Sequence, residues 1–367
     1  MERTPFDRKE IENATEIPST FPGFPPSKRF DYPISPKENY RLLYQRKVPV
    51  WLPSSVDGQT MTPRIDPDNL ARVFSFEAQP MTDEDRTGGP DKFGIPWVYV
   101  PQVGGSMVEP GNPTLLDAND WQDVINFPDV ASWDWDASAK ANKAWVDTDK
   151  WLTYTHLTGF FERLISFMDF EGAAMALVDD EQKDAVHSLF DALTDCYIDI
   201  FSRAYNAYGF DTLNFHDDWG AQRAPFFSLD LVMEMIVPHL KKVVDFCHNE
   251  LGTYFDMHSC GKNELLVPAY IAAGCDSWRG QDMNDKAKLH DQYGDKLIVS
   301  IEPVTPTNKY AEASLAEANT FMQQYLDKYI PGFKEKPFFM GGFTGPQGWN
   351  DFVYEETRKR FYEMATN

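Results

Sequence analysis

From Trp151 to the C-terminus the sequence alternates short β-branched or aromatic runs with longer amphipathic ones, and this limits the possible folds more than any other feature. WLTYTHLTG (151–159) reads as a strand, with a helix starting at Phe160. Residues 181–208 form a helix with Ala185, Leu189, Leu193, Cys196 and Ile200 along one face. DTLNFHDD (211–218) is a strand, followed by a helix over 228–251 whose stripe runs Leu229, Val232, Ile236, Leu240, Val243 and Cys247. The same succession continues with strands at 253–260, 275–280, 296–303 and 337–343. Helices at 264–273, 285–293, 314–329 and 349–364 follow them. Six strand-then-helix units in a row make a parallel sheet. At least two strands lie upstream, at 48–52 and 94–101, and no Gly-rich phosphate fingerprint follows the first. The expected fold is therefore α/β, a closed (β/α)8 TIM barrel.

The N-terminal part is organised differently. Pro5, Pro18, Pro22, Pro25, Pro26, Pro33 and Pro36 fall within the first 36 residues, so residues 1–38 are expected to form an extended arm and 39–367 the barrel. Between about 57 and 150 the pattern is irregular and rich in Pro, Gly and Trp, as expected of an insertion over one barrel mouth.

Composition rules out several classes of function. The net charge is −23, from 57 acidic against 34 basic residues, a surface that repels nucleic acid and anionic lipid. No long apolar run suggests a membrane span, and the first residues carry no apolar signal core. Cys196, Cys247, Cys260 and Cys275 do not make a disulfide framework, so a reducing cytoplasm is expected. HExxH, GxSxG and GxxxxGK[ST] are all absent.

In a (β/α)8 barrel the active site lies at the C-terminal ends of the strands. Those ends collect His216, Asp217 and Asp218, then His258 and Cys260, then Arg279 and Gln281, then Glu302 and the turn from Gly341 to Gly345. His258 and Cys260 are two apart on a strand, so imidazole and thiolate face the same side and can meet one ion. Such a mixed N/S pair suits zinc better than magnesium or calcium. Taken alone, H-x-C more often marks a buried histidine beside a small apolar cysteine. Its place at a strand end, followed by Gly261, favours the metal. Cys275 begins its strand, at the opposite end from Cys260, and is not expected to be a ligand.

The run from Asp217 to Pro303 resembles the uroporphyrinogen decarboxylase superfamily. Within it, the run is similar to the branch of corrinoid-linked methyltransferases and O-demethylase-like proteins. The residues that carry this likeness are Asp217-Asp218-Trp219-Gly220, Pro238, His258-Ser259-Cys260-Gly261, Ala273-Gly274-Cys275-Asp276 and Gln281-Asp282. TGFFER (158–163) and KFGIPW (92–97) fit the same branch. The resemblance implies methyl transfer between a small methylated substrate and a corrinoid held by a partner protein. Zinc would sit on His258 and Cys260, with Asp218 and Glu302 as catalytic residues and Asp217, Arg279 and Gln281 binding substrate.

True decarboxylases of the superfamily carry an RQAGRY-type segment near the first strand, an FSDIL-type segment and a GHG turn. Here VPVWLPSSVDGQ, VFSFEAQ and GGFTGPQG stand in those places. Uroporphyrinogen decarboxylation is therefore the alternative activity, and a non-catalytic corrinoid- or tetrapyrrole-binding barrel is a further one. Zinc members of the methyltransferase branch add a distant cysteine near the last strand, where this chain has Gly341, Gly342 and Phe343. The remaining ligands are then oxygens, with Glu302 or Asp218 as candidates, or the metal is absent.

Overall fold

A computed structural model describes residues 3–17, 27–102, 104–303, 313–341 and 345–367. The strands in chain order are β1 Thr15–Ile17, β2 Ser27–Arg29, β3 Gly58–Met61, β4 Gly88–Pro90, β5 Pro96–Val100 and β6 Gly105–Val108. They continue with β7 Trp151–His156, β8 Thr212–His216, β9 Tyr254–Ser259, β10 Ser277–Gly280, β11 Ile298–Ile301 and β12 Phe338–Met340. The fold is mixed α/β, and its main sheet has seven strands, not eight. Among the described residues no eighth strand closes a barrel, which corrects the closed (β/α)8 expectation.

The two upstream strands account for the difference. Residues 48–52 are buried but form no strand. The Asn39 side chain takes the backbone bonds that a neighbouring strand would have made. Its Oδ1 accepts from Val50 N at 2.6 Å, and its Nδ2 donates to the Trp51 carbonyl at 2.9 Å. The other expected strand is β5, but it pairs antiparallel with β4 and β6 in a separate three-stranded sheet. From β7 onward the alternation is present as read. It includes the Ser314–Glu317 capping box that starts helix Leu315–Tyr329 and the left-handed Gly274 that ends helix Val267–Ala273.

The chain divides into two compact units. The smaller comprises Met1–Gln59, Asp149–Trp151 and Asp285–Asn367. In it β11 and β12 pair in parallel, Val299 opposite Phe338. The described part of the Pro-rich arm lies against the last helix, Trp349–Thr366. Phe30 stacks on Tyr354 at 4.1 Å, and buried Arg358 meets both oxygens of Glu10 at 2.8 Å. Pro18, Pro22, Pro25 and Pro26 lie outside the described residues. Among the described residues no helix is long and apolar enough to cross a membrane.

The larger unit comprises Thr60–Thr148 and Leu152–Asn284. Its strands β7, β8, β9 and β10 are consecutive parallel neighbours. Their registers set Phe215 beside both His156 and Met257, and His216 beside His258. Leu213 and Phe215 on β8, with Phe255 and Met257 on β9, are all fully buried. The strand ends are therefore held on a close-packed base.

Candidate metal centre

His216 and His258 are register partners on adjacent strands, so both imidazoles leave the sheet on the same side, with rings 4.8 Å apart and 16° from parallel. Two residues further along each chain come Asp218 and Cys260. The result is an H-x-D beside an H-x-C. One donor atom from each of these four residues lies within 4.8 Å of the others.

Both histidines present the same nitrogen to this centre. His258 Nδ1 is 2.8 Å from the Arg279 carbonyl, and His216 Nδ1 is 3.0 Å from the Leu157 carbonyl. A carbonyl only accepts, so each Nδ1 carries the hydrogen and each Nε2 turns toward the centre. Cys260 Sγ lies 3.4 Å from His258 Nε2 and 3.9 Å from His216 Nε2. Asp218 Oδ1 is 3.2 Å from His216 Nε2 and accepts the Cys260 amide at 2.6 Å. Two ring nitrogens, a sulfur and a carboxylate oxygen form a donor set that fits zinc.

The surroundings set the charges of these groups. Burial and the neighbouring His216 push His258 down to about 4, so it is neutral and its Nε2 lone pair is available. Burial opposes a charge on His216, but Glu162 and the bonds to Asp218 and Cys260 raise it well above the usual imidazole range. Burial likewise raises Asp218, but the bond to His216 and the Cys260 amide outweigh it and hold this carboxyl below the ordinary range. The Cys260 thiol is pushed up by burial.

The other expected site residues build and hold the centre. Asp217 points away from it and is fully buried. It accepts from the amides of Phe161 and Glu162 at 3.1 and 2.9 Å and from Trp219 Nε1 at 2.8 Å, so it caps helix Phe160–Ala176. Burial and nearby Glu162 raise its carboxyl to about 7. That close approach explains Gly159, where a Cβ would lie 2.4 Å from the Asp217 Cβ. Gln281 Oε1 accepts the Gly261 amide at 2.7 Å. Gly261 has φ +90°, a conformation strained for residues with a side chain, and a Cβ there would strike the Gly220 carbonyl. Asn263 and Asn284 complete the loop, with Asn263 Nδ2 donating to the Cys260 carbonyl at 2.6 Å and Asn284 Nδ2 to the Gly261 carbonyl at 2.9 Å.

Arg279 contributes its backbone to His258, while its side-chain Nε lies 3.2 Å from Asp256. Glu302 belongs to the smaller unit, where it pairs with Lys286, and it is not among the four clustered donors. Of the expected turn, Gly342, Phe343 and Thr344 lie outside the described residues. Cys275 is buried ahead of β10 and is not part of the cluster.

His216 is the ligand candidate that residue spacing did not single out. The available signal was the repeat of H-x-[D/C] at the ends of two successive strands, which parallel pairing then sets side by side.

An α/β chain with an N2SO donor cluster at its strand ends thus defines the class of protein. No protein-family model matches the chain, and no curated protein matches it. Among solved structures it is similar to a methyltransferase from Methanosarcina mazei, 12% identical, covering 90% of this chain and 99% of that one with a TM-score of 0.57. At that identity the likeness shows the fold alone. A Group IV chitinase from Ostrinia furnacalis is 10% identical over 51% of this chain and 55% of its own, and its TM-score of 0.26 carries no argument.

Proposed function

We propose that this protein is a methyltransferase that moves a methyl group between a small methylated compound and a corrinoid carried by a partner protein, with zinc on His216, Asp218, His258 and Cys260. The observation that carries the reading is the convergence of four metal-competent donors, both imidazoles already turned with Nε2 inward. The sequence resemblance to corrinoid-linked methyltransferases supplies the reaction class, and the fold likeness to a methyltransferase agrees with it. Bound there, zinc supplies Lewis acidity to the heteroatom that holds or receives the methyl group.

The chain's own residues hold the metal and orient the substrate. For a methyl ether, the C–O bond breaks, the oxygen keeps the electron pair and takes a proton, and the methyl passes to the partner's reduced corrinoid. That proton comes from solvent, and Asp218, its side chain 28% exposed against 14% for His216, is the ligand placed to yield its position to the substrate heteroatom. Arg279, 40% exposed, offers a cation to an anionic part of the substrate. Asp217 and Gln281 act through the elements they fix. Glu302 has no part in this reading.

The test is zinc content together with methyl transfer. Purified protein should hold about one zinc per chain and should methylate cob(I)alamin from an aryl methyl ether or methylamine, followed by the cobalamin absorption spectrum. Absence of zinc with tight cobalamin binding would overturn the enzyme reading and favour a corrinoid-binding barrel.

Zinc affinity should also rise with pH. Zinc must displace a proton from His216, whose pKa is raised, and another from the Cys260 thiol, whereas His258 at about 4 is already neutral. Calorimetry in buffers of different ionisation enthalpy should therefore find about two protons released per zinc near neutrality.

A further inference from the structure

We infer that Glu162 is the positioning residue of this centre: a carboxylate behind His216 that fixes the ring and raises its strength as a donor. The inference rests on the metal reading proposed above. Glu162 Oε2 lies 3.1 Å from His216 Nδ1, on the side of the ring away from Asp218 and Cys260. This oxygen is buried and makes no hydrogen bond among the described residues. The single Nδ1 hydrogen is already aimed at the Leu157 carbonyl, so this oxygen faces the ring edge without a bond of its own. A buried carboxylate left in that state is costly unless a cation compensates it.

Its placement follows from the fold. Glu162 stands in the first turn of helix Phe160–Ala176, and its own amide is bonded to Asp217. Alternation along the chain after β8 sends Asp218 toward the centre and Asp217 the other way, so the strand end that supplies a ligand also anchors the helix that brings Glu162. From the front, Arg72 holds the other oxygen at 3.0 Å, while its guanidinium lies 4.8 Å over Trp97. Local charge makes the same point. With Cys260 ionised and His216 neutral, the states a bound metal requires, Asp218, Cys260 and Glu162 carry three negative charges against the one positive charge of Arg72, and a divalent cation cancels the remainder. Among the described residues His258 has no carboxylate beside its Nδ1, only the Arg279 carbonyl.

That asymmetry gives the test. Zinc affinity is measured by competition with a chromophoric chelator on the full chain, alongside the thermal midpoint of the zinc-free protein and the visible spectrum of the Co2+-loaded form. Glu162→Gln should weaken zinc by about 10- to 100-fold, shift the Co2+ bands and leave the zinc-free midpoint nearly unchanged. Glu171→Gln, the same change at an exposed position of the same helix, should alter none of the three. Should Glu162→Gln fail to fold, Glu162→Asp, which keeps the charge but draws its oxygens back from His216, gives the same readouts with a smaller loss in the same direction. A Glu162→Gln protein that binds zinc as the wild type does, or loses it only together with zinc-free stability, overturns this inference alone. A wild type that takes up neither zinc nor cobalt overturns the metal reading and this inference with it.

Discussion

Alanine in place of His216 is expected to weaken zinc as severely as alanine in place of His258. Structural zinc sites bind with about 10–16 kcal/mol, so sharing this among four donors puts roughly 3 kcal/mol, about two orders of magnitude in affinity, on each. Cys260→Ser should do at least as much, because a serine hydroxyl does not ionise as a thiol does. Cys275→Ser should leave zinc unchanged, since that residue is buried ahead of β10 and apart from the cluster. Equal losses in the two histidine variants would establish a centre built across β8 and β9. If zinc survives in His216→Ala but not in Cys260→Ser, the H-x-C pair finds its remaining ligands elsewhere and the four-donor centre is wrong.

Much of the centre was legible because strands have a period of two. H-x-C on β9 and Asp218 after β8 both follow from that period and from the rule that strand ends carry chemistry. His216 was visible at the same strand end, but its pairing with His258 depends on a register that hydrogen bonds set and no local pattern encodes. Asp217 turns to the helix Phe160–Ala176 for a related reason. Successive residues at a strand end face opposite ways, so of Asp217 and Asp218 only one can reach the centre, and the sequence does not mark which.

The fold shows the same division. Helices from Phe160 onward carry their own signals in stripes, caps and terminal glycines and lie near where those signals put them, except that the one expected over 228–251 breaks at Ile236, ahead of Pro238, and ends in a π turn at Cys247–Leu251. The upstream strands did not. VPVWL has strand-like composition, but the Asn39 side chain satisfies its backbone, a contact between residues whose meeting no periodicity predicts.

Replacing Arg163 by methionine is expected to destabilise the larger unit by about 3–5 kcal/mol. Arg163 is fully buried in helix Phe160–Ala176 and bridges Asp68 and Asp91, with Phe93 4.6 Å beneath its guanidinium. Buried Lys92 meets Asp66 at 2.7 Å and Asp68 at 3.5 Å, and Trp97 Nε1 donates to Asp91 at 3.0 Å. The two motifs KFGIPW and TGFFER thus converge through Lys92, Trp97 and Arg163 on one ionic network that ties residues 66–97 to the helix bearing Glu162. Methionine fills much of the arginine's volume but leaves Asp91 with hydrogen bonds and no cation, and Asp68 with Lys92 alone. Burial alone would raise Asp68, and Arg163 with Lys92 holds it below the ordinary range instead. A depressed carboxyl contributes stability above its unfolded pKa and loses it as pH falls through the folded one. In the variant the same carboxyl, no longer held down, takes up a proton at higher pH and is neutralised. The deficit measured by urea unfolding should therefore be largest near neutrality and narrow toward about pH 4. A loss below about 1 kcal/mol, or one that does not change with pH, would mean that the network adds no more than a surface ion pair does.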